Sequence, residues 1–269
     1  MKVRFPTISF ADVPIHWARN PEFAQSYNAF STVPAHIEPY LVKVMIAARK
    51  ELDPQRDATL YHEMSVFIRQ ETQHFKLHQA YNQHLVDAGY ALMLPIEATY
   101  KADYDRFLKD KSLRFNIAYA EGFESMGCAA GQVFFEDLDE FLEGCDQRAA
   151  DLWRWHLAEE FEHREVCFKL YKRLYGKGLF AWLYRLYGFA VAMRHIGGHT
   201  RRLAEAMIAK DREGMTPDEL KASHERLAAY RNKVKKASLK RLVKVLSPRY
   251  DPAQRVWSPG MAELLAKYS

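Results

Sequence analysis

The chain has 269 residues, 48% hydrophobic and 27% charged, a composition that supports a sizeable globular core. No run reaches the ~18 uninterrupted apolar residues of a spanning helix. The nearest, 178–193, is broken by Arg185, and the start MKVRFPTISFADVP lacks the apolar core and small-residue cleavage site of a signal peptide. The net charge of +5 is uneven. Ten Lys and Arg stand against Glu225 alone between 221 and 249, which leaves the rest of the chain mildly acidic. Cys128, Cys145 and Cys167 are odd in number and share no CxxC spacing, which fits a reduced, cytoplasmic protein.

Gly and Pro act as punctuation between long segments of helical periodicity, and no strand alternation appears. A first helix is expected over 21–52, bent or broken between Pro34 and Pro39. A second runs over 57–88 and stops at Gly89. A short helix over 97–109 belongs to a long connection. Ser112 caps a third helix reaching residue 143, and Asp146 caps a fourth reaching 175. Two more helices, over 179–210 and 216–246, follow. The expected class is all-α: a four-helix bundle with one long crossover and additional C-terminal helices. The divisions are an N-terminal arm (1–20), a metal-binding bundle (21–176) and a helical extension with a basic arm (177–269).

The second and fourth helices each carry Glu-x-x-His, as Glu71 with His74 and Glu160 with His163. Residues three apart on a helix are neighbours, so each motif presents a carboxylate and an imidazole on one face. Their large apolar neighbours (Phe67, Phe75, Trp155, Phe161) imply burial, and buried charges need a metal or an opposite charge. One Glu from each remaining helix would complete a two-metal site, the arrangement general to carboxylate-bridged bundle proteins. The first helix offers Glu38. The third offers Glu121 or Glu124, with Glu121 preferred and Glu124 left to face substrate or orient a ligand. His156, one turn before Glu160, lies on the same stripe and is expected as a seventh ligand. His78, Glu159 and Cys128 are placed around the ligands or along the cavity. Hard oxygen donors with a minority of nitrogen suit iron first and manganese second.

The segment Phe67-Ile68-Arg69-Gln70-Glu71 with His74 and His78, and the segment Trp153-Arg154-Trp155-His156-Leu157-Ala158-Glu159-Glu160-Phe161-Glu162-His163, closely resemble the family of predicted metal-dependent hydrolases. The stretch from Leu246 to Pro252 resembles its C-terminal signature. That resemblance implies a ferritin-like fold and metal ligation by Glu71, His74, Glu121, His156, Glu160 and His163. The first-helix match is poorer, because Pro34-Ala35-His36-Ile37-Glu38-Pro39 stands where the family often has Gly-Glu after a proline. The fourth-helix pattern is also similar to the di-iron arylamine N-oxygenases.

From the type of site, dioxygen-dependent oxidation of a small or apolar organic substrate is the leading expectation, with an unidentified electron donor. Hydrolysis by a metal-activated hydroxide is the alternative, and metal binding without turnover the third. The apolar, aromatic segment 179–189 is expected to pack on the bundle, join a homodimer, or wall an acyl-type substrate. The basic last helix offers a contact for a membrane surface or an acidic carrier protein. No nucleic-acid-binding motif is present.

Overall fold

The computed structural model describes residues 1–268, which contain helices and no strand. The helices are α1 (Pro21–Phe30), α2 (Thr32–Arg49), α3 (Ala58–Leu85), α4 (Met93–Asp110), α5 (Leu113–Asp137), α6 (Asp139–Leu142), α7 (Gln147–His163), α8 (Val166–Tyr175), α9 (Leu179–Asp211), α10 (Pro217–Leu242) and α11 (Met261–Lys267). α2 packs on α3, α5 packs on α7 and α8, and α3 touches both α7 and α8, closing an all-α bundle. α9 lies along α5, and α10 crosses α1 and α5. Among the described residues no helix is long and apolar enough to cross a membrane.

Several boundaries follow the local chemistry of the sequence. Ser112 Oγ accepts from Phe115 N, Asp146 caps α7 by accepting from Arg148 N, and Thr216 with Glu219 forms a capping box. The first long helix breaks at Ser31, not at the prolines. Pro34 sits in the first turn of α2, where a missing N–H costs nothing. Pro39 lies inside α2 and removes the donor that would reach the Ala35 carbonyl. Gln79 of α3 supplies it, with Nε2 3.2 Å from Ala35 O. The expected fourth helix is likewise two, α7 and α8, with Arg164 at the join donating to the carbonyls of Phe161 and Pro252. α5 ends at Asp137, short of residue 143, and α11 lies outside all the expected helices.

The close approach of α9 to α5 depends on glycine. A Cβ on Gly188 would stand 2.6 Å from Ala118, and one on Gly122 would stand 2.8 Å from the Phe189 Cα. Both distances are too short for carbon contacts, so α9 can seat only where these two side chains are absent. The aromatic start of α9 is not wholly a packing face: Leu179 and Phe180 are 63% and 82% exposed.

Candidate metal centre

Four helices aim their ionisable side chains at the middle of the bundle. α2 contributes Glu38, α3 contributes Glu71 and His74, α5 contributes Glu124, and α7 contributes His156, Glu160 and His163. All seven are at most 3% exposed. They form two sets, each with ligand atoms within 4.8 Å of one another: Glu38, His74, His156 and Glu160 in one, and Glu71, Glu124, Glu160 and His163 in the other. Glu160 belongs to both. Its Oε1 lies 3.1 Å from His156 Nε2, 3.5 Å from His163 Nε2 and 3.7 Å from His74 Nδ1. Glu71 also reaches both, with Oε1 3.2 Å from His163 Nε2 and Oε2 3.8 Å from His74 Nδ1. Gly127 makes room for the shared carboxylate, since a Cβ there would lie 2.6 Å from Glu160 Oε2.

The preferred third-helix residue of the sequence reading, Glu121, is turned away from both sets. Arg185 of α9 takes it at 3.2 Å and Ser125 Oγ donates to it at 2.9 Å. Glu124, one turn along, occupies the place instead, with Oε2 3.3 Å from His163 Nε2. Cys128 is also off the site: it packs with Trp155, Phe161 and Met261, and burial pushes its thiol up to about 12. His36 pairs with Glu97, and His84 with the Val13 carbonyl.

Each imidazole is fixed through its far nitrogen. His74 Nε2 lies 3.0 Å from Glu159, His156 Nδ1 lies 2.7 Å from His78 Nε2, and His163 Nδ1 lies 3.2 Å from Gln70 Oε1. With the far nitrogens as donors, each imidazole in its neutral form has its near nitrogen's lone pair facing the cluster, the state a metal requires. His78 is held in turn by Ser31 Oγ at 2.8 Å. Glu159 is held by Arg4 at 2.8 Å, and Arg4 and Gln70 both donate to Glu162. Of these partners, His78 and Glu159 were expected from sequence around the ligands, whereas Gln70 had no expected role and Arg4 no expected place. Gln70 does precede Glu71 within the motif, a usable signal. Arg4 is 155 residues from Glu159 and carries none.

Arg4 is 5% exposed and Glu159 is fully buried. Removing one partner of such a pair strands the other charge. Arg4→Ala is therefore expected to cost about 3–5 kcal/mol, read as a lower midpoint in urea unfolding with an unchanged slope.

The electrostatics of the centre are unbalanced without cations. Burial, then the charges of Glu71 and Glu160, pushes the Glu38 carboxyl well above its ordinary range. Burial, then Glu160, does the same to Glu71, and drives Glu124 up to about 8. Burial also works against the ionised form of Glu160, but His163 and His156 hold that carboxyl well below the usual range. His163 is raised by Glu124 and Glu160 in spite of its burial, and burial lowers His74. One ion pair, Glu160 with His163, thus leaves three further carboxyls uncompensated.

The hydrogen-bond inventory says the same. Both oxygens of Glu38, Glu71 and Glu124, Oε2 of Glu160, Nδ1 of His74 and Nε2 of His163 are buried without a hydrogen-bond partner. Orphaned polar atoms in a core cost ~1–3 kcal/mol each, and these all converge on one spot. Four carboxylates balance two divalent cations, and the donor set of hard oxygens with three imidazole nitrogens suits transition-metal ions. The residues fit a metal pair.

A cavity of about 150 Å³ adjoins His156 and Glu160 and is walled by Phe123, Met126, Trp153 and Leu157. Open space therefore meets the centre from the side of the first set.

An all-α bundle with buried carboxylate–histidine clusters is a metal-binding architecture. The chain belongs to the predicted metal-dependent hydrolase family, whose model matches residues 2–255. No curated protein and no solved structure matches it.

Proposed function

We propose that this chain is a di-metal hydrolase with a ferritin-like bundle. Glu38, His74, His156 and Glu160 hold one divalent ion, Glu71, Glu124, Glu160 and His163 hold the other, and Glu160 is shared. The observation that carries this reading is the convergence of nine orphaned donor and acceptor atoms on one buried point. On this reading residues 21–176 form the metal-holding bundle, and the helices of 177–269 close its substrate side.

When bound, two such ions polarise a carbonyl or phosphoryl oxygen and make water acidic enough to attack near neutral pH. The chain's own residues do the rest. Trp153, Phe123, Met126 and Leu157 exclude bulk water beside the centre and favour an apolar acyl or aryl group. His78, Glu159 and Gln70 hold the three imidazoles in one orientation. The family description supports hydrolysis over the oxidative chemistry expected from the type of site alone.

A second reading, dioxygen-dependent oxidation with iron as the metal, has one specific observation in its favour. The inner cavity offers Ser238 as its polar side chain besides His156 and Glu160, so it is poor in donors for a leaving group and suited to chemistry that water would quench.

The two readings separate in one paired experiment. Manganese-, zinc- and ferrous-loaded protein is given esters, amides and phosphate esters without oxygen, while ferrous protein is mixed with oxygen and followed optically. Anaerobic turnover is the expected result. No anaerobic turnover, with an oxygen-dependent change at the iron, would transfer the assignment to oxidation. Neither signal would leave a metal-binding protein without turnover.

A further inference from the structure

α1, α5, α9 and α10 line a second, partly open cavity of about 450 Å³, outside the one that touches the metal centre. The two share Phe30, Met126, Ala130, Ile196 and Ser238 in their walls, so they meet at that ring of side chains. The outer cavity alone is within the ~300–1,000 Å³ of small-molecule sites. Its body is apolar, built from Tyr27, Val133, Ala204 and Val234. α9 contributes to it from its far half, between Ile196 and Ala204.

The two ends of the joined space differ in chemistry. The inner end is His156 and Glu160. The outer cavity carries Thr200, Arg201 and Arg231. Thr200 Oγ1 is buried and has no hydrogen-bond partner, so a turn of its side chain that brought it onto a ligand oxygen in the cavity would remove a standing cost. Arg201 and Arg231 share one carboxylate, Glu205, at 2.9 and 3.3 Å, which leaves a surplus of positive charge. Guanidinium groups beside a free hydroxyl suit a carboxylate. Thr200 stands one helical turn beyond Ile196, roughly 6 Å along the axis, so an anion held there still has its apolar body across the shared ring.

We propose that the joined cavities form a substrate channel for linear apolar carboxylates. The carboxylate rests on Thr200, Arg201 and Arg231, and the chain passes Met126 and Ile196 to place an ester or amide bond at its far end beside Glu160 and His156, where hydrolysis would split it into an acid and an alcohol or amine. The inference rests on the di-metal reading only for what waits at the inner end.

Binding, not turnover, tests it. A fluorescent polyene fatty acid is bound to the protein and displaced by dodecanoate, hexanoate, dodecanol or dodecyltrimethylammonium, with metal content measured on each sample. Dodecanoate is expected to bind at least tenfold more tightly than dodecanol, hexanoate or the cation. The double variant Arg201→Glu, Arg231→Glu is expected to weaken dodecanoate at least tenfold and leave dodecanol unchanged. Ala130→Trp, which narrows the ring, is expected to reduce dodecanoate to the affinity of hexanoate. Ser238→Trp narrows it from α10 and reads the same effect if Ala130→Trp does not fold. Equal binding of dodecanoate and dodecanol, or full dodecanoate affinity in the double variant, would overturn the channel. Wild-type protein that carries metal but binds no carboxylate overturns the channel alone. Protein that binds the carboxylate but takes up no metal overturns the metal reading alone.

Discussion

Glu160→Ala is expected to reduce metal content from two ions per chain to near zero, the largest effect of any single substitution in the centre. Glu160 is the residue common to both ligand sets, and its Oε1 is within 3.7 Å of all three imidazoles. On the di-metal reading its loss would take a ligand from each ion. Glu38→Ala touches only the first set and should leave the second ion in place. Elemental analysis after equilibration with manganese or ferrous ion, with far-ultraviolet circular dichroism as the check on folding, reads both variants. Two ions retained in Glu160→Ala would remove the shared-carboxylate arrangement.

The second large effect is a dependence on pH that metal should abolish. In the metal-free protein Glu124 is raised from 4.5 to about 8, by burial and then by the charge of Glu160. A carboxyl raised on folding binds its proton more tightly in the folded state. The stability it contributes is therefore complete below about pH 4.5 and is lost as the pH climbs through about 8. Burial also lowers His74 and His78, so their protonation on unfolding adds to the pH dependence of the wild type. The quantity to measure is thus the difference in unfolding free energy between metal-free wild type and metal-free Glu124→Gln. That difference should fall with rising pH between 5 and 8, with a slope of up to ~1.4 kcal/mol per pH unit, the value for one proton. In the metal-loaded protein the cation takes the proton's place, so metal uptake at pH 7 should release protons measurable in a pH-stat. A difference that rises with pH, or metal uptake without proton release, would contradict the assignment of Glu124 to the centre.

The spacing of Glu71 with His74, and of His156, Glu160 and His163, was legible because helical geometry alone puts those residues on one stripe, and the structure brings all five together. The choice between Glu121 and Glu124 was not legible. The two are neighbours on α5, and what separates them is Arg185, 64 residues away on α9, which claims Glu121. The fixing of His74 through Glu159 to Arg4 depends on where the N-terminal arm lies, which no local pattern encodes. The helix breaks at Ser31 and Arg164 were hidden for a related reason. Side chains from distant elements satisfy the freed backbone or hold the join, as Asn82 does for the Ser31 carbonyl and as Gln79 does where Pro39 would otherwise leave a gap. The all-α class was legible throughout, since every long segment reads at helical period and the described residues hold no strand.

Anomalous diffraction from crystals of the metal-loaded protein, recorded on both sides of the metal's absorption edge, tests the central claim most directly. Two peaks are expected, one among Glu38, His74, His156 and Glu160 and the other among Glu71, Glu124, Glu160 and His163, with the Glu160 carboxylate in contact with both. Metal peaks only elsewhere on the chain, or none from protein saturated with metal, would contradict it.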